Sequence, residues 1–331
     1  MAIIRVFRCW EEPDILKLLP GYSRESPSNS GVWGEHTFIC EEDGECDVAV
    51  VFNRVGNQNR YVTCPPENIW QVIQEPFVYH IHDWMIDDQD HYSKVFTHYI
   101  PSNSSKYIRS NPMLSWYIDK TYDELIEVSA PEKSKDISWI SSNKKIFPGH
   151  GDRLKFLEFI QSSDLNIDLF GSGINFIENK WDGMIDYRYS LTIENTLHKD
   201  YWTEKLADSY LSYCLPIYFG CPNITDYFPE ESFIRIDIRN PEEALKTIRD
   251  AIENNEWEKR LPAIIEAREL VLHKYNLFAQ LSEHISQSNL TLKKSDVTLP
   301  PYKRTNSRRL KNKLLQFQHF TGLKRLDKKI C

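Results

Sequence analysis

The spacing of apolar and polar positions divides the first half of the chain into short strand-like runs. Residues 3–7, rich in apolar and β-branched side chains, read as a first strand. Residues 46–53 hold Val48, Ala49, Val50, Val51 and Phe52 in one unbroken apolar run, the pattern of a strand buried on both faces. Residues 68–74 and 94–98 repeat it, the former ending in Glu75-Pro76. Between the first two runs, residues 13–19 predict a short helix, and 21–34 a loop rich in Ser, Pro, Asn and Gly that carries Trp33. Strands alternating with short connections predict an α/β domain over residues 1–133. Residues 121–135 are polar and unpatterned, and the interdomain linker is placed there.

The second half repeats the alternation with longer helices. Residues 136–142 and 167–171 read as strands. A helix carrying Leu154, Leu157 and Ile160 on one face, opened by Arg153, lies between them. Residues 215–220 and 233–236 are further strands. Pro241 opens an amphipathic helix bearing Ala244, Leu245, Ile248 and Ile252. Residues 257–286 are one helical stretch that Pro262 is expected to kink or break. A second α/β domain is therefore assigned to 134–290, and 291–331 to a tail.

One stretch carries chemistry by itself. Residues 187–193 are aromatic and β-branched, a strand; Glu194-Asn195-Thr196 is a polar turn; Thr203-Glu204-Lys205 precedes a helical run with Leu206, Ala207, Tyr210 and Leu211. Thr203 or Asp200 can cap that helix. A strand thus delivers a polar loop and a lysine to a helix start, where backbone N–H groups and the helix dipole favour an anion such as phosphate. The carboxyl end of a parallel sheet is where such a ligand belongs.

Charge and composition narrow the classes. The net charge of −8 is uneven, because residues 301–331 hold ten Lys/Arg against one Asp, leaving the body strongly acidic. An acidic body argues against general nucleic-acid binding. In the tail, basic residues interleave with Leu310, Leu314, Phe317, Phe320 and Leu323, the composition of a basic amphipathic segment for an anionic membrane surface. Seven cysteines without a C-x-x-C pair suit free thiols in a reducing cytoplasm, although Cys40 and Cys46 could bridge. The first residues lack the pattern of a signal peptide, so the expected location is cytoplasmic or peripheral on the inner membrane face.

Four sub-motifs in order resemble one family. Tyr187-Arg188-Tyr189-Ser190-Leu191-Thr192-Ile193-Glu194-Asn195-Thr196, then Asp200-Tyr201-Trp202-Thr203-Glu204-Lys205-Leu206, Leu215-Pro216-Ile217-Tyr218-Phe219-Gly220, and Phe228-Pro229 with Ser232-Phe233-Ile234 resemble the donor-binding half of the α1,3-fucosyltransferases, glycosyltransferase family ten. Ile193 stands where the family usually has Phe, and Trp202 where it usually has a small β-branched residue. The resemblance implies two doubly wound Rossmann-like domains facing across a cleft (GT-B) with C-terminal helices that cross back. It implies inverting transfer of fucose from GDP-fucose to a glycan hydroxyl, without a metal. Arg153 and Lys205 are then expected on the donor diphosphate and Glu204 on the ribose hydroxyls. Asn195 and Tyr201 would line the donor pocket, and Glu194 would brace the loop. Arg188 either binds donor or pairs with an acid. A transferase using another nucleotide sugar, or a glycan-binding protein without turnover, remains open.

The general base is sought in the first domain. Glu75 follows a buried strand, precedes a rigid Pro76, and matches the acid-before-Pro seen in related sequences; it is the candidate. Glu25 and Glu35 are the reserves, followed by His80 and His82. The His80-x-His82 pair resembles a metal motif but shows no third ligand, and Asp88-x-Asp90, which mimics another, lies in a run of acids between elements and is read as a solvated turn.

Overall fold

The computed structural model describes residues 1–8, 24–40, 43–78, 82, 84–87, 89–141 and 148–303. The helix expected at 13–19, the first three residues of the loop at 21–34, His80, Asp88 and the tail beyond Lys303 lie outside them.

The first set of strands is β1 (Ile3–Arg8), β2 (Val32–Trp33), β3 (His36–Cys40), β4 (Gly44–Glu45), β5 (Val48–Phe52), β6 (Arg60–Cys64), β7 (Ile69–Val72), β8 (Lys94–Thr97) and β9 (Tyr107–Arg109). The second is β10 (Lys135–Ile140), β11 (Asp168–Phe170), β12 (Tyr187–Ile193), β13 (Leu215–Phe219), β14 (Ile234–Arg235) and β15 (Ser295–Leu299). The helices are α1 (Trp84–Asp87), α2 (Tyr122–Glu127), α3 (Pro148–Ser162), α4 (Glu204–Leu211), α5 (Pro241–Glu253), α6 (Glu256–His273) and α7 (Leu277–Ser286).

Two parallel sheets organise the chain. One runs β2-β3-β1-β5-β7-β8-β9, parallel except for β2 at its edge. Every residue of β5 is buried, because both of its faces are covered. The other runs β11-β10-β12-β13-β14, all parallel. That is the doubly wound order 2-1-3-4-5, whose chain direction reverses between β10 and β12 and opens a crevice at their carboxyl ends. The chain is α/β with two doubly wound domains.

The domain borders differ from the sequence reading. Trp116, Ile118 and Leu125, assigned to the first domain, pack in the core of the second. The expected linker contains α2, closed by a capping box in which Thr121 and Glu124 satisfy each other's backbone N–H groups. Near the other end the expected return of a C-terminal helix is present: Leu277, Phe278, Leu281 and Ile285 of α7 pack with Ile4, Val48, Val50 and Trp70 of the first domain. Residues 295–299, placed in the tail, form β15, antiparallel to β6. Pro262 does not break α6. It sits on the exposed face, where water can take the carbonyl it leaves unbonded. The chain instead turns at Lys274 and Tyr275, and Asn276 caps α7 by accepting from the Phe278 N–H.

Cys40, Cys46, Cys64, Cys214 and Cys221 are all free thiols. Among the described residues no helix is long and apolar enough to cross a membrane.

Candidate active site

Strand β12 ends at the crevice, and its continuation builds the floor of the site. Glu194 N–H extends the ladder to the Phe219 carbonyl at 2.8 Å, which turns the Glu194 side chain inward. Its carboxylate accepts from the Thr203 N–H at 2.8 Å and from the Thr203 hydroxyl at 2.8 and 3.0 Å. Gly220 makes room for it, since a Cβ there would lie 2.5 Å from Glu194 Cγ. Glu194 is thus a brace that ties the end of β12 to the start of α4. Thr203 is the N-cap, accepting from the Lys205 N–H.

The charged groups converge on that helix start. Lys205 Nζ lies 3.1 Å from Glu204 Oε1, 3.2 Å from Thr203 Oγ1 and 3.8 Å from Glu194 Oε2. Burial alone would lower the Lys205 amine, but Glu204 and Glu194 outweigh it and hold the ammonium charged. Burial would raise Glu204; the charges of Lys205 and Lys180 and the hydrogen bond from Lys205 prevail and bring it down to about 2. Arg153 is buried and donates to Asn195 Oδ1 at 2.9 Å. It lies near enough to Lys205 for the two cations to repel. Lys205 and Lys180 thus favour the ionised form of Glu204 at a helix N-terminus, with Arg153 close to Lys205, an environment for a diphosphate beside hydroxyls.

Three neighbours had no signal in the sequence. Lys180 Nζ binds the buried Asp208 at 3.0 Å and sits 5.4 Å from the centre of the Tyr117 ring. The Tyr117 N–H donates to the other Asp208 oxygen at 2.8 Å. The cleft walls, then the carboxylates of Glu204, Glu25, Asp208 and Glu75, raise the Tyr117 phenol above its ordinary value. Lys180, Lys205 and Asp208 also line a cavity of about 30 Å³ with Ile193. Asp208 sits one turn after Glu204 on α4, and Lys180 opens a single 3-10 turn, Lys180–Gly183, too short for periodicity to mark.

Glu75 reaches this cluster from the first sheet, just past the end of β7. Burial first, then the negative charge of Glu204, raise its carboxyl, and Lys205 opposes them. Its backbone is fixed from below: Asn53 Oδ1 accepts from the Gln74 N–H at 2.8 Å and from the Glu75 N–H at 3.1 Å. Asn53 is fully buried in the left-handed region, at φ 60°, which Asn tolerates better than most residues.

The other expected residues take different places. Arg153 lies in the second turn of α3, which begins at Pro148, and does not open the helix. Tyr201 is buried at the seam between the domains, its hydroxyl 3.5 Å from the Gln74 carbonyl and its ring edge-on to His98. Arg188 is at the opposite end of β12, paired with Asp136 at 3.2 Å and Glu258 at 3.3 Å; of its two readings the acid-paired one holds. Trp202 packs edge-on to Tyr227, Phe228 and Tyr275 in the second domain's core. Of the reserve bases, Glu25 is sealed at 0% exposure, and Glu35 is exposed and paired with the amino terminus. His82 is spent on the Pro76 carbonyl at 2.5 Å.

With this geometry in view, the comparisons with known proteins fall on the same half of the chain. Residues 130–259 match the family model for glycosyltransferase family 10 (fucosyltransferase), C-terminal part. That stretch is similar to the family 10 glycosyltransferase domain. The chain is 31% identical over 130 residues to the mouse 4-galactosyl-N-acetylglucosaminide 3-alpha-L-fucosyltransferase 9, covering 38% of this chain and 35% of that protein. It is 36% identical over 74 residues to the Helicobacter pylori alpha-(1,3)-fucosyltransferase FucT, covering 22% of this chain and 16% of that one. The chain thus spans about a third or less of the curated relatives it matches. An α-glucosyltransferase solved with UDP and a DNA 13-mer aligns over 87% of this chain and all of its own, at TM-score 0.50 and 10% identity, a likeness of fold. The family 10 domain contains Arg153, Glu194, Asn195, Glu204 and Lys205, and Glu75 lies outside it.

Proposed function

We propose that this protein is an inverting fucosyltransferase that moves fucose from GDP-fucose to a hydroxyl of a glycan acceptor. The observation that carries the reading is the meeting of two unlike groups across one cleft. Glu75 of the first domain feels the charges of Glu204 and Lys205, which belong to the family 10 domain of the second. The names of the relatives support fucose as the sugar.

In this reading the acceptor hydroxyl gives its proton to the Glu75 carboxylate as its oxygen attacks the anomeric carbon. The new C–O bond forms on one face while the bond to the diphosphate breaks on the other, and GDP leaves. Arg153, Lys205 and the N–H groups at the start of α4 meet the charge that grows on the diphosphate. They take the part a divalent cation would otherwise play. Glu204, whose ionised form Lys205 and Lys180 favour, accepts hydrogen bonds from the ribose hydroxyls, and Asn195 holds Arg153 in place. Trp202 lies in the aromatic core, so its departure from the family pattern gives no ground for a different sugar.

The test is the pair of variants E75Q and K205A. E75Q keeps shape and loses basicity. It is expected to cut turnover by roughly two to four orders of magnitude while leaving GDP affinity nearly intact. K205A is expected to weaken both. A Glu75 variant with near-normal turnover would take the base away from this position.

A further inference from the structure

The turn that carries Glu75 is held at more points than a surface turn needs. Besides Asn53, which takes the N–H groups of Gln74 and Glu75, His98 Nε2 accepts the Phe77 N–H at 3.1 Å. His198 Nε2 meets the Phe77 carbonyl at 3.1 Å, and His82 Nδ1 meets the Pro76 carbonyl. The Phe77 ring lies flat on Tyr99, with 3.6 Å between ring centres. Pro76 has no N–H and a fixed φ, so few degrees of freedom remain between Gln74 and Phe77.

The two ends of the Phe77 peptide are held by different domains. His98 follows β8 of the first sheet; His198 comes from the loop between β12 and α4, the loop that carries the anion site. Their rings are 5.8 Å apart, and Tyr201 sits edge-on to His98 at 4.8 Å. The hydrogen bonds fix the tautomers: His98 accepts through Nε2 and so carries its proton on Nδ1, while His198 donates through Nε2.

We propose that His98 and His198 are positioning residues for Glu75, holding its turn from both walls of the cleft so that seating the second domain and aiming the carboxylate are one event. The inference rests on the reading of Glu75 as the base. His98 remains an acceptor across the working range, because burial, then the neighbouring His198, push its pKa down to about 3.

The test measures turnover, GDP affinity by calorimetry, and hydrogen exchange at the Phe77 amide, in the full chain. His98→Leu is expected to lower kcat by about ten- to a hundredfold, the scale of a misplaced reacting group, with GDP affinity unchanged and the Phe77 amide exchanging faster. His98→Gln, whose carbonyl can reach the same N–H, is expected to recover most of the loss. His198 is half-buried, so His198→Phe probes the clamp from the other side without opening the core, and the same signature is expected. In an E75Q background neither change is expected to cost more, because both act through Glu75. An equal further loss in that background, or a fall in GDP affinity that matches the fall in kcat, would overturn the proposal. E75Q alone at normal turnover would sink the base assignment itself, and that result is read before any histidine is changed.

Discussion

Glu75 and its two charged neighbours set the pH behaviour of the site. Burial and Glu204 raise the Glu75 carboxyl, and Lys205 lowers it. A base works only when deprotonated, so the acid limb of kcat against pH is expected above the ordinary Glu value. E204Q removes a raising charge and should move that limb to lower pH; K205A removes a lowering charge and should move it to higher pH. Limbs that stay fixed in both variants would mean another group titrates. Glu25 tells a separate story: sealed beside Asp208 and Trp116, its carboxyl is pushed up to about 8, first by burial. A raised acid contributes stability that is complete below its ordinary value and is lost as pH rises through about 8. Thermal stability is therefore expected to fall as pH rises from about 4.5 to about 8 and to level off above that, and to fall less in E25Q. At this scale the sequence marked Glu75, Glu204 and Lys205 because each borders a patterned element. It was silent on Lys180, which opens a short 3-10 turn, on His198, which stands in a loop, and on Asn53, whose role depends on a backbone angle.

The β12–α4 unit was the most legible element, since a strand, a polar turn and a capped helix follow one another within 25 residues, from Tyr187 to Leu211. Its energetics concentrate in Thr203, which caps α4 and satisfies the buried Glu194. Thr203→Ala is expected to cost about 1–3 kcal/mol by denaturant unfolding, more than a cap alone, because it also strips hydrogen bonds from a buried carboxylate. R153A and K205A should each lower turnover by about a hundredfold, and K205A should also lower the unfolding midpoint, because it leaves Glu204 and Glu194 without their cation. Elements were missed where their signal is short or tertiary. Strands β2 and β4 are two residues each, too brief for alternation to show. The capping box of α2 was visible as Thr121-x-x-Glu124 but lay in a stretch whose polarity hid it. Pro262 was read by propensity alone, and exposure decided otherwise.

For the molecule as a whole, both α/β domains were legible from alternation, and the return of the last helix to the first domain was implied by the resemblance, while the place of the final strand was not. Strand β15 pairs with β6 across more than two hundred residues, and no local pattern foretells a partner so distant. The seam between the domains is polar: Arg109 pairs with Asp200 at 2.9 Å, and His198 reaches Phe77. Asp200 also takes the Tyr227 hydroxyl and the Asn223 amide, so the second domain presents it to Arg109 in a fixed pose. That seam brings Glu75 beside Glu204 and Lys205, and the proposed function stands on it. The most direct test is donor consumption across a panel of nucleotide sugars in the presence of a glycan acceptor, run in parallel for the wild type, E75Q and K205A. The account predicts that the wild type releases GDP from GDP-fucose in preference to the other donors, and that both variants lose at least about a hundredfold of that rate. Preferential use of a different nucleotide sugar, or variants that keep the wild-type rate, would contradict it.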